Sequence, residues 1–299
     1  MNSAPDLRGI WVPLITPFAA DGSVELAAIS RLCHEYIDAG VAGIVALGTT
    51  GESPALDADE KKAVITACSV VCAERGAQLM VGTGTNSTRT TISATAALAG
   101  VAACTSALVV VPYYVRPSEA SIVEHFKTVA AESPVPIVVY NIPYRTGRGL
   151  SAEAVLELAS VDNIVGIKQS VGALDADTLK ILRDAPADFF VLCGEDAYIV
   201  PIIVMGGHGA ITAAAHVCTE RFVAMVECAL LGKVDDARRY ANALLGVVQS
   251  GFDEPNPAVW KGVLHAQGRI STADLRAPMG NASAAATQSC LTAIAAASL

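Results

Sequence analysis

Eight short apolar runs, rich in β-branched residues, punctuate this chain at 10–15, 43–47, 78–82, 107–111, 136–140, 164–168, 189–193 and 209–212. Each leads into Gly, Pro, Asn or Thr, and amphipathic stretches fill the intervals. That is the pattern of buried parallel strands joined by helices. Eight such units predict an α/β fold, a closed (β/α)8 TIM barrel. The competing arrangement, an open doubly wound sheet, should carry GxGxxG in its first βα turn, and none of the turns here does. Caps at Asp57, Ser118 and Ser151 predict three of the helix starts. The eighth run ends well before the last residue. The expected division is therefore a barrel catalytic domain over 1–230 and a C-terminal three-helix region over 231–299, with helices at 234–248, 257–266 and in the Ala-rich stretch 281–299.

Acidic residues outnumber basic ones by 29 to 20, a formal charge of -9. This argues against nucleic acid or an anionic membrane as partner, and an anionic substrate would need single local cations. The eight cysteines show neither CxxC spacing nor a compressed framework, and read as small buried apolar residues in a reducing cytoplasm. The first residues carry no basic region followed by an apolar stretch. The Ala-rich tail is broken by Thr, Gln and Ser and falls short of a membrane span, so the expected location is cytoplasmic.

In such a barrel the chemistry gathers at the carboxyl ends of the strands. The sixth run, within NIVGIKQS, ends in Lys168. Burial disfavours an ammonium ion, and a neutral amine can add to a carbonyl to form an imine. Taken alone, Lys168 fits equally well a side chain that snorkels from the barrel mouth. Tyr140 ends the preceding strand, and Tyr113 and Tyr114 follow the fourth; phenols can relay the protons that imine and enamine formation require. Any one of these tyrosines could instead be a rim residue with its ring in the core. Gly48-Thr49-Thr50-Gly51-Glu52 follows the second strand and offers backbone N–H groups and hydroxyls suited to a small carboxylate, although a turn bonding only its own backbone reads the same way. Arg145, five residues past Tyr140, offers a bidentate fork for a second carboxylate. The glycines at 82–84 and 206–209 read as turns. His208 and His216 lack companions at ligand spacing, so no metal site is expected.

GTTGES, PYYVRP, YNIPYRTG and GIKQS, in this order, resemble the dihydrodipicolinate synthase and N-acetylneuraminate lyase family of class I aldolases. The similarity covers 9–279, including GGHGAIT and EPNPAVWK. The resemblance implies that Lys168 forms a Schiff base with pyruvate, with no separate cofactor. Tyr140 would position the amine and relay protons, and Thr49 with Tyr114, reaching in from a neighbouring subunit, would complete the relay. Thr50 would hold the pyruvate carboxylate beside Gly48, and Ile211 would line the site through its main chain. Family synthases bind the carboxylate of L-aspartate 4-semialdehyde with an arginine at the position of Arg145. The implied reaction is therefore condensation of pyruvate with that aldehyde, in lysine biosynthesis, by a homotetramer or homodimer. Two rivals are a lyase or dehydratase acting on another 2-keto acid, and a noncatalytic relative that binds a keto acid. Gln169 stands where relatives usually carry Glu. Ala58, Lys61 and Thr90 replace residues of the family's lysine-inhibition site, while Asn86 and Tyr113 remain, so weak or absent inhibition by lysine is expected.

Overall fold

In the computed structural model, which describes residues 5–297, the eight runs form β1 (Gly9–Pro13), β2 (Gly43–Ala46), β3 (Gln78–Gly82), β4 (Cys104–Val110), β5 (Ile137–Asn141), β6 (Ile164–Gln169), β7 (Phe190–Cys193) and β8 (Gly209–Ile211). They pair in sequence order, all parallel, and β8 returns to pair with β1, closing the TIM barrel. β4 starts earlier than its apolar run, because Cys104 and Thr105 are only half-buried and Ser106 is polar.

Helices α1 (Leu26–Asp38), α2 (Ala58–Arg75), α3 (Thr88–Ala96) and α4 (Glu119–Glu132) follow the first four strands, and α5 (Pro143–Thr146) and α6 (Ala152–Ala159) both lie between β5 and β6. α7 (Ala176–Asp184), α8 (Ile199–Val204) and α9 (Thr219–Leu230) complete the ring. Asp57, Ser118 and Ser151 cap α2, α4 and α6 through their side chains, and at α2 Glu60 returns the bond to make a capping box. Each such cap contributes about 1 kcal/mol. Then follow α10 (Val234–Gly251), α11 (Ala258–Ala266) and α12 (Ala284–Ala296). α10 runs one turn farther than its apolar pattern, and Pro257 precedes α11. The last two residues of the expected tail lie outside the described ones.

Two hydrophobic cores follow from strand alternation. Outward side chains such as Ile44, Val109 and Ile167 pack under the helices. Inward ones fill the barrel: Trp11, Val45, Met80, Leu108, Val138, Phe190, Leu192 and Ile211. Trp11 donates from Nε1 to the Leu7 carbonyl at 3.0 Å, and its ring occupies the space a side chain at Gly43 would need. No described helix is long and apolar enough to cross a membrane. The cysteines are all free; Cys104, Cys218 and Cys228, near element ends, are half-buried, contrary to the expectation of full burial.

Candidate active site

Register sets the site. Tyr140 on β5 pairs with Lys168 on β6, which pairs with Leu192 on β7. Because Val138, Tyr140 and Leu192 face inward, Lys168 does too, one layer above Gly166, whose missing side chain makes room for the Phe190 backbone. Lys168 is 7 % exposed and Tyr140 5 %. Nζ lies 4.2 Å from the centre of the Tyr140 ring. The phenol thus offers its face to the nitrogen, and no hydrogen bond joins its hydroxyl to Nζ among the described residues.

Gly194, just past β7, makes this placement possible. A Cβ there would stand 1.8 Å from Ser170 Oγ and 2.9 Å from Lys168 Cε. Sequence reasoning missed it, since the need for glycine comes from a side chain on the neighbouring strand. Gln169 points the other way. Its Oε1 accepts from Asn141 Nδ2 at 3.0 Å and its Nε2 donates to Thr178 Oγ1 at 3.1 Å, while Asn141 Oδ1 accepts from Leu150 N at 3.2 Å. The residue unexplained by sequence is thereby a buried tie from β5 and β6 to α7.

The GTTGE segment forms a 3₁₀ turn over Thr49–Gly51. The left-handed positions here are Leu47, φ 56°, just before the segment, and Glu52, φ 51°, at its end, and neither is a glycine. Gly51 answers to space instead, since a Cβ there would meet the Leu14 carbonyl at 3.0 Å. Gly82 and Gly84, read as turn residues, are also close-approach points: a Cβ would stand 2.3 Å from the Leu47 carbonyl oxygen and 2.3 Å from the Val110 nitrogen, respectively. Thr49 is exposed, whereas Thr50 is buried and its hydroxyl accepts from Asn256 Nδ2 at 3.0 Å.

A cavity of about 500 Å³ opens at this end of the barrel. Its wall carries Gly48, Thr49, Tyr113, Tyr140 and Arg145, together with Lys61 and the segment from Arg276 to Met279. Lys168, Thr50 and Ile211 are buried and do not form part of that wall. Arg145, on α5, is exposed to the cavity, has no acidic partner within 4 Å among the described residues, and stacks 5.7 Å from the Tyr144 ring centre. Tyr114 is 86 % exposed, with φ 70°, and lies outside the wall. Within one chain, then, the backbone turn after β4 brings Tyr113 to the cavity and Tyr114 away from it.

Two carboxylates follow Gly194. Asp196 accepts from Ala214 N at 2.8 Å, and burial raises its pKa to about 6. Burial, then the neighbouring Asp196, also raises Glu195, while the positive charge of Lys168 works to lower both. Sequence reasoning had singled out neither. Among the described residues no three His, Cys, Asp or Glu side chains converge as metal ligands.

The family profile described as "Dihydrodipicolinate synthetase family" matches residues 6–297. The 4-hydroxy-tetrahydrodipicolinate synthase of Moorella thermoacetica is 40 % identical over 272 residues, 90 % of this chain and 91 % of that protein. The enzyme of the same name from Neisseria meningitidis serogroup B is 39 % identical over 263 residues, 88 % of this chain and 89 % of the relative. Among solved structures, a dihydrodipicolinate synthase from Acinetobacter baumannii complexed with pyruvate superposes with a TM-score of 0.93 at 30 % identity, covering 97 % of this chain and 99 % of its own.

Proposed function

Since the chain belongs to the dihydrodipicolinate synthetase family, we propose that it performs the 4-hydroxy-tetrahydrodipicolinate synthase reaction, condensing pyruvate with L-aspartate 4-semialdehyde through an imine on Lys168. The observation that carries this reading is a buried amine stacked on a phenol that lines a cavity whose wall also presents an arginine. Lys168, having given up its proton, adds to C2 of pyruvate, and the carbinolamine loses water to give the imine. Loss of a proton from C3 gives an enamine, which forms the new carbon–carbon bond to the aldehyde carbon. The amino group of the semialdehyde then attacks C2, closing the ring and expelling Lys168 as the free amine. Tyr140 relays protons at the nitrogen, and Thr49 continues the relay toward Tyr114 of a second copy. That role for an exposed Tyr114 makes the working form a homodimer or homotetramer. Thr50, Gly48 and the Ile211 main chain hold the pyruvate end, and Arg145 holds the carboxylate of the semialdehyde. The acidic second substrate is favoured over a sugar by Arg145, a cation facing the cavity with no carboxylate within 4 Å among the described residues.

Borohydride tests the reading. With pyruvate present, reduction fixes an adduct at Lys168, visible as a mass increase on the peptide that carries it; Lys168→Ala gains none. In an aldehyde panel, L-aspartate 4-semialdehyde is consumed well ahead of sugars. No adduct on the unmodified chain removes imine chemistry, and preference for another aldehyde removes the synthase assignment.

A further inference from the structure

Lys261 is the most deeply buried charged side chain described, 0 % exposed, and nothing in the imine chemistry uses it. It comes from α11, outside the barrel, yet its Nζ lies 2.5 Å from Oε1 of Glu52, the last residue of GTTGE. The same Nζ donates to the Asp274 carbonyl at 2.8 Å and sits 4.1 Å from the centre of the Phe18 ring. Arg276 approaches that ring at 4.5 Å, and its backbone N–H donates to Glu52 Oε2 at 3.0 Å. The Arg276 guanidinium meanwhile grips Glu60 near the start of α2, at 2.5 and 2.6 Å.

Glu52 is thus held on both oxygens by groups from the C-terminal region. It also occupies a left-handed backbone conformation, which a residue with a Cβ keeps only when its surroundings enforce it. Its N–H closes the 3₁₀ turn on Thr49 O at 3.1 Å, so the orientation of Glu52 fixes the turn that carries Thr49 and Thr50. A buried amine with so many partners could be a fold element alone. The location argues for more, because Glu52, Arg276, Pro278 and Met279 all reach the cavity wall. We propose that Lys261 is a positioning residue for the keto-acid end of the site, acting through Glu52 to hold the Thr49–Thr50 turn in its binding geometry. This rests on the assignment of that turn to the pyruvate carboxylate. The helical region after the barrel is on this account a working part of the substrate site.

The test uses the full chain, wild type, with Lys261→Met and the double variant Glu52→Gln/Lys261→Met. The double variant leaves no unpaired buried charge and supplies the readout if the single variant does not fold. Two quantities are measured: the pyruvate concentration giving half-maximal borohydride adduct, and KM and kcat for each substrate. The expected result is a rise of about tenfold or more in half-saturating pyruvate and in pyruvate KM, with KM for the semialdehyde changed by less than about threefold and kcat falling only as far as the displaced Thr49 slows the proton relay. A folded double variant whose half-saturation stays within about twofold of wild type overturns the proposal, as does equal damage to both substrates, the signature of general loosening. Absence of an adduct on the wild-type chain is a separate failure, which removes the keto-acid reading and this inference with it.

Discussion

Arg145 separates the two substrates more cleanly than any other side chain. It reaches the cavity from α5 with no acidic group within 4 Å among the described residues, and its charge acts to lower the pKa of the half-buried Glu195. Arg145→Ala is expected to retain the borohydride-trapped pyruvate adduct while lowering kcat/KM for the semialdehyde by roughly 10- to 100-fold, the worth of a charge-assisted hydrogen bond. Equal loss of pyruvate trapping would show that the arginine serves both ends of the site. Lys168 was legible in sequence because it ends a buried run, and Arg145 because it follows the next strand end back. Gly194 was not, since only the three-dimensional placement of Ser170 and the Lys168 stem forbids a Cβ there. Gln169 escaped for a similar reason: its partners, Asn141 and Thr178, lie on other elements.

The strands were readable because a parallel barrel buries both faces of each and writes continuous apolar runs. Less readable were the joins between elements. Nothing in the spacing of GTTGE and EPNPAVWK shows that Asn256 meets Thr50 or that Lys261 meets Glu52. At the start of α2 the structure adds something to the residue pattern. Lys61 lines the cavity, as does Tyr113, so a cation already faces that space in addition to Arg145 and Arg276. L-lysine, with two ammonium groups, would bring further positive charge to it. Steady-state rates are accordingly expected to keep at least half their value in L-lysine at about 1 mM, the upper end of common substrate ranges. Strong inhibition at that level would mean that Lys61 turns aside or that the ligand binds elsewhere.

For the molecule as a whole, two buried histidines set the response to acid. His216 accepts from Ile15 N on Nε2 at 3.1 Å and uses Nδ1 toward the Ala213 carbonyl at 2.8 Å, and burial lowers its pKa to about 4. Burial lowers His125 to about 4 as well. Above pH 6.5 both are neutral whether folded or not; as pH falls toward 4 the unfolded chain binds protons that the folded one refuses, and stability is lost. Asp196, raised to about 6, works in the opposite sense between its ordinary 3.8 and 6, gaining stability as pH falls, and offsets part of the loss. The urea midpoint is therefore expected to drop from pH 7 to pH 5, and His216→Gln should flatten that slope; a midpoint that holds or rises would contradict the balance. The closure of the barrel has a consequence in time. Trp11 pairs early with Gly43 on β2 but meets its second strand partner only at Ile211, and the turn that carries Thr49 and Thr50 is tied to Lys261 and Arg276, farther still along the sequence. At about 5–20 residues per second, a ribosome needs on the order of 13–53 s to pass from Trp11 to Arg276. For most of that interval the nascent protein exposes strand edges and an incomplete pocket, so any chain released early is both inactive and prone to aggregate.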